Sequence, residues 1–210
     1  FVLHFVMAKP WERVARHEEE DFGELFALWR QARASAAVGS FLRPSWLGRR
    51  ATQTGTLRGV WYVPDFVMPE AEAALLEHLY GSIDNEYLAG RWRQLRRRRL
   101  LCLGGVPHPE GALLEPLPGP VAALSAALLE AGALGAAPDQ CLVNSYSPGQ
   151  GIDAHSDGPR FFPEVAVLSL EGPAVLRFGL VDKKARPDLP RRFEVLLQPR
   201  SLLVFAGEAY

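Results

Sequence analysis

From residue 142 to residue 206 the chain is written in short apolar runs separated by turn residues, and this rhythm constrains the fold more than any other feature. Runs at 142–146, 152–155, 165–170, 174–178, 193–197 and 201–206 are each four to six residues long, a length that suits strands rather than helices. No helical period interrupts them. Glu171-Gly172-Pro173 and Gln198-Pro199-Arg200 are short enough to close hairpins, so antiparallel pairing is expected. Phe193, Val195 and Leu197 face one way and Glu194 and Gln198 the other, whereas 165–170 is apolar on both faces. A two-layer sandwich with inner and outer strands accommodates both patterns. The 19 glycines and 17 prolines among 210 residues, above the usual share, supply the turns such a fold needs.

Upstream, 60–63 reads as a strand. Residues 69–80 read as a helix that opens on Pro69 and lines up Leu75, Leu76 and Leu79. A second helix is expected at 120–131, with Pro120 in its first turn and Val121, Leu124, Leu128 and Leu129 as its apolar stripe. Residues 1–58 differ in character. Glu18, Glu19, Glu20 and Asp21 lead into Phe22, Leu25, Phe26 and Trp29 at helical spacing, closed by Arg30 and Arg33, which matches charge to the helix dipole. Residues 35–55 are linker-like. Two parts are therefore expected: an N-terminal appendage, 1–58, of no assignable role, and a functional domain, 59–210, of mainly β (α+β) class.

Lys and Arg number 23 against 24 Asp and Glu, a net charge of -1, so any polyanion must be met by a local patch rather than a global field. Cys102 and Cys141, without a Cys-x-x-Cys, fit a reducing intracellular compartment and buried apolar roles. The longest apolar stretch, 121–129, is far shorter than the roughly 20 residues of a membrane span, so no membrane partner is expected. Phe1 is not Met, and Tyr210 follows a strand-like run directly, so both ends read as cut.

Three groups of residues carry chemistry. His155-Ser156-Asp157 places an imidazole and a carboxylate two residues apart, on one side of an extended chain; the pair either supplies two of the three donors of a two-histidine, one-carboxylate iron site or is a chance spacing of common residue types. Asn144 and Tyr146 form a second i, i+2 polar pair in an otherwise apolar strand, across the turn 147–151. They either hold a small acid beside the metal or satisfy backbone groups near the turn. The run from Arg91 to Arg99 encloses Trp92. It either grips phosphates while Trp92 stacks on a base or is a solvated loop or charge-blunted strand edge. Arg160, Phe161 and Phe162 either line the opening or, for the two phenylalanines, belong to the core.

The stretch from Cys141 through Asn144-Ser-Tyr146 and His155-Ser-Asp157 to Pro163, followed by Val167-Leu-Ser-Leu170, resembles the AlkB-like dioxygenases, which use Fe(II) and 2-oxoglutarate. Further likeness in Trp92-Arg-Gln-Leu95, Leu103-Gly-Gly-Val-Pro-His-Pro109, Tyr62-Val-Pro-Asp-Phe66 and Gln198-Pro-Arg-Ser-Leu-Leu-Val204 places it nearest the group of the sixth human-type homologue. The resemblance spans residues 60–210. It implies a double-stranded β-helix, or jelly roll, with flanking helices. His155 and Asp157 are then the catalytic iron ligands, and Asn144 and Tyr146 hydrogen-bond 2-oxoglutarate. Trp92, Arg96, Arg97, Arg160 and Phe161 contact substrate. The implied reaction consumes molecular oxygen and decarboxylates 2-oxoglutarate while hydroxylating a methyl group of RNA or DNA, which leaves as formaldehyde, in the nucleus or cytoplasm.

One departure matters. The family's second histidine and its 2-oxoglutarate-binding arginine come from a late strand, but no His follows His155; His4, His17, His78 and His108 all precede it. Both missing groups are expected beyond Tyr210, and Arg177 and Arg200 are the poorer substitutes for the arginine. The chain as written is expected to bind iron poorly and turn over little. Two rivals remain: a nucleic-acid-binding module without the chemistry, and a protein hydroxylase on the same scaffold.

Overall fold

The computed structural model describes residues 2–6, 52–54, 57–80, 88, 90–108, 111–157, 161–179 and 192–210. In chain order the elements are β1 (Val2–Val6), β2 (Thr52–Gln53), β3 (Val60–Val63), α1 (Pro69–Tyr80), β4 (Arg93–Leu95), β5 (Arg98–Leu103), β6 (Gly105–His108), β7 (Gly111–Leu114), α2 (Gly119–Glu130), β8 (Gln140–Ser145), β9 (Glu164–Ser169), β10 (Ala174–Gly179), β11 (Arg192–Leu197) and β12 (Leu202–Ala206). An eight-stranded sheet runs in the order β2-β3-β12-β9-β1-β8-β5-β4, and β10-β11 and β6-β7 form two-stranded sheets.

Alternation along the strands sorts side chains onto two faces. Leu101, Leu103, Cys141, Val143, Ala166, Leu168 and Val204 pack with Leu75 and Leu79 of α1 and with Val121, Leu124 and Leu128 of α2. Those helical residues lie on the apolar stripes that the sequence shows. On the opposite face Val60, Val165, Val167 and Leu203 pack with Val195 and Leu197 of β11, joined by the half-buried Leu176 and Phe178 of β10. All six residues of β9 are buried, because that strand lies between helices on one side and β10-β11 on the other. Two sheets packed face to face, with flanking helices, make this the double-stranded β-helix expected from the motifs.

Neither expected hairpin forms. β9 pairs with β1 and β12, and β10 pairs with β11, so 171–173 carries the chain from the large sheet to the small one and 198–200 carries it back. A short turn specifies a change of direction but not whether the chain stays in its layer. Both turns hold a non-glycine residue at positive φ, Glu171 at 68° and Arg200 at 64°, a costly backbone state. Glu72 of α1 braces them: it accepts the Glu171 N–H at 2.7 Å and meets the Arg200 guanidinium at 3.4 Å, while Arg200 also reaches Asp65 at 3.0 Å. Arg177 is paired with Glu194 across β10-β11. Both fallback cations for the co-substrate are thus engaged elsewhere.

The proposed boundary at residue 58 does not separate an appendage from the sheet. Residues 2–6 lie between β8 and β9, antiparallel to both, and Thr52–Gln53 pairs with β3. Five residues are too few to display a period, so nothing in the sequence announced β1. The amphipathic helix read around residues 18–33 lies outside the described residues. Close backbone approach also fixes Gly104, at φ 85°, where an added Cβ would stand 1.9 Å from the Asp139 carbonyl oxygen. No helix among the described residues is long and apolar enough to cross a membrane.

Candidate active site

Residues 152–155, read from sequence as a strand, are part of an irregular loop, 146–157. Pro148, Gly149 and Gly151 favour a turn over a ladder, and the loop closes on itself where Gln150 N–H donates to the Ser147 carbonyl at 2.9 Å and Ser147 N–H donates to Gln150 Oε1 at 2.8 Å. The expected convergence of His155 and Asp157 nonetheless occurs, without the extended backbone. His155 Nε2 stands 3.5 Å from Asp157 Oδ1. His155 Nδ1 lies 2.8 Å from the carbonyl oxygen of Asp153, which can only accept, so Nδ1 carries a proton and Nε2 is the ring nitrogen that faces Asp157. Burial pushes the Asp157 carboxyl above its ordinary range, and His155 offsets part of that rise.

Two donors bound to one divalent ion at about 2.1 Å stand roughly 3.0 to 3.4 Å apart for bond angles between square and tetrahedral. The His155–Asp157 spacing meets that requirement with little adjustment, and a neutral imidazole beside a carboxylate is the donor chemistry of a 2-His-1-carboxylate site. Among the described residues no group of three or more His, Cys, Asp or Glu comes together. The pair therefore fits two of the three protein positions of such a site.

Asn144 is buried in β8 and its Oδ1 has no hydrogen-bond partner. Its neighbour Val143 faces the helices, so Asn144 faces the β10-β11 layer. Tyr146 follows β8 and packs among the residues of that second layer; burial raises its phenol, partly countered by Arg98. Ser169, fully buried at the end of β9, also leaves its Oγ unpartnered. Sequence reading passed over Ser169, although a lone hydroxyl in the run Val-Ala-Val-Leu-Ser-Leu was a visible signal. An unsatisfied buried polar group costs free energy, and these two stand on strands separated only by β1, each opposite Val2.

The basic run forms the hairpin β4-β5 with Arg96 and Arg97 at its turn, and β4 is the edge of the large sheet. Arg97 reaches Asp153 at 3.4 Å. Arg91 makes a two-armed ion pair with Glu115. Trp92 stacks on Tyr80 with ring centroids 5.2 Å apart and carries the Arg99 guanidinium 4.8 Å from its own centroid, so its ring is engaged within the protein. Arg96 is exposed and makes no ion pair among the described residues. Phe161 is half-buried in the second-layer cluster, where its carbonyl accepts from the Tyr210 hydroxyl at 3.4 Å. Phe162 is core. Arg160 lies outside the described residues. Burial raises the thiols of Cys102 and Cys141, which fits apolar rather than reactive roles.

Against known proteins, a family model described as the 2OG-Fe(II) oxygenase superfamily matches residues 59–209. A Danio rerio protein named "Probable RNA/DNA demethylase ALKBH6" is 34% identical over 158 residues, covering 72% of this chain and 65% of that protein. A Macaca fascicularis protein named "tRNA (carboxymethyluridine(34)-5-O)-methyltransferase ALKBH8" is 33% identical over 159 residues, 72% of this chain and 23% of its own length. The chain thus spans less than two thirds of either relative. The structure titled "The structure of OsALKBH1" superposes with a TM-score of 0.51 at 18% identity, over 74% of this chain and 84% of that one, and supports the fold. The chain belongs to the 2OG-Fe(II) oxygenase superfamily, and the curated relatives it is similar to carry AlkB-homologue names. Membership implies Fe(II) and 2-oxoglutarate as cofactor and co-substrate.

Proposed function

We propose that this chain oxidatively demethylates nucleic acid, RNA or DNA, with His155 and Asp157 as two of its iron ligands and Asn144 and Tyr146 toward 2-oxoglutarate. The observation that carries the reading is the 3.5 Å approach of His155 Nε2 to Asp157 Oδ1, with Nδ1 tied to the Asp153 carbonyl. When bound, Fe(II) with 2-oxoglutarate and oxygen supplies the oxidising chemistry. The protein's own work is placement. Asp153 holds the imidazole so that Nε2 is offered, the partly buried Asp157 adds a hard oxygen donor, and the Asn144 amide would have to turn its Nδ2 donor toward the co-substrate carboxylate, since the unpartnered atom, Oδ1, only accepts. The arginines of the β4-β5 turn offer guanidinium to phosphate beside the loop that carries the ligands. The relatives whose names refer to RNA, DNA and tRNA support this substrate class.

Formaldehyde release from methylated RNA and DNA oligonucleotides, with Fe(II) and 2-oxoglutarate, tests the reaction, and Mn(II) binding tests the site separately. His155→Ala is expected to weaken Mn(II) binding by about 100-fold or more, at least the loss that follows removal of a supporting residue around a metal. Unchanged Mn(II) affinity in that variant would remove His155 from the site.

A further inference from the structure

The loop that presents His155 has little support of its own. Among the described residues, every hydrogen bond that residues 147–155 make outside the loop ends on one residue, Arg97. Its carbonyl accepts the Gly151 N–H at 3.3 Å, and its guanidinium reaches Asp153 Oδ1 at 3.4 Å. Asp153 in turn is the residue whose carbonyl takes His155 Nδ1 at 2.8 Å. A path of two contacts therefore runs from the tip of a basic hairpin through Asp153 to the nitrogen opposite the metal-facing one, with the Gly151 bond as a second anchor of the loop.

We propose that Arg97 is a positioning residue for His155, bracing the ligand loop through Asp153 and so raising the metal affinity of the site. This rests on the metal-site reading given above. The hairpin is suited to the task because β5 is hydrogen-bonded along its length to β8, the strand from which the loop departs, so the turn and the loop root share one rigid support. Fixing a ligand's orientation before the metal arrives lowers the ordering cost of binding. The Arg97 and Asp153 side chains are 52% and 91% exposed, so the ionic half of the brace is modest and screened by salt. The backbone half is independent of both side chains.

Mn(II) dissociation constants of the 210-residue chain, its Arg97→Gln and Asp153→Asn variants and the double variant test this. Each single change is expected to weaken binding about two- to five-fold, the range an exposed pair supplies. The double change should cost no more than either single one. Arg97→Lys should restore part of the loss, and the wild-type advantage should shrink at about 1 M NaCl. Amide hydrogen exchange over residues 147–157 should quicken in Arg97→Gln with no metal present. Wild-type affinity in Arg97→Gln, or losses that add in the double variant, would overturn the proposal. If no protein binds Mn(II), the metal-site reading fails, and the exchange rates still decide the brace: unchanged rates in Arg97→Gln sink it.

Discussion

Val2 in β1 is the register partner of Asn144 in β8 and of Ser169 in β9 at once. Because β1 is antiparallel to both, β8 and β9 run parallel to one another and never touch as a ladder. The first strand of the chain is what joins the half of the sheet that carries Asn144 to the half that carries Ser169.

Deleting residues 1–6 therefore removes five register pairs with β8 and four with β9, and leaves two central strands with unpaired edges. Thermal unfolding should show a loss of about 10 °C or more, or no cooperative transition at all, since several backbone hydrogen bonds at roughly 1 kcal/mol each disappear. A deletion variant that melts with the 210-residue chain would show that β1 contributes no stability.

Ser169 should be worth more to function than to stability. Its Oγ is fully buried without a partner, and an unsatisfied hydroxyl costs about 1 kcal/mol or more. Ser169→Ala removes that cost at a small loss of volume, so the ligand-free protein should melt at the same temperature or slightly higher. A destabilisation above about 1 kcal/mol in urea unfolding would mean the hydroxyl is satisfied after all.

Leu168, next along β9, sits on the opposite face against the helices and is fully buried. Leu168→Ala is expected to cost about 2 to 5 kcal/mol, the range for emptying a packed core site. The contrast with Ser169→Ala tests the assignment of faces, and comparable losses at the two positions would contradict it.

What the sequence showed, and what it hid, follows from the range of the forces involved. The helix at 69–80 was legible to the residue because its proline start and leucine stripe are local. The buried character of β9 was legible because both faces are apolar. The layer changes after Leu170 and Leu197 were not, since a turn's composition is the same whether the chain pairs back or crosses to the other sheet. The convergence of His155 and Asp157 was foreseen on the premise of an extended strand; the geometry arises instead from a loop anchored on Arg97. Asp153 was missed because its part is played by a backbone carbonyl, which any residue carries.

Glu164 offers a pH test at a distance from the proposed ligands. It is buried at the start of β9, its Oε2 accepts the Gly135 N–H at 2.9 Å, and its Oε1 has no partner. Burial raises its pKa, and the Gly135 bond offsets part of the rise. With the folded pKa above the unfolded one, the native state binds more protons in the window between them, so this group's contribution to stability is fully present below the unfolded value and is lost as pH rises through the folded one. Glu164→Gln keeps an oxygen for Gly135 without the charge. The variant should gain on wild type as pH rises from about 4 to neutrality, finishing ahead by on the order of 1 kcal/mol. Urea unfolding of both proteins across that range checks it, and a difference independent of pH would show that Glu164 does not titrate in the folded state over that interval.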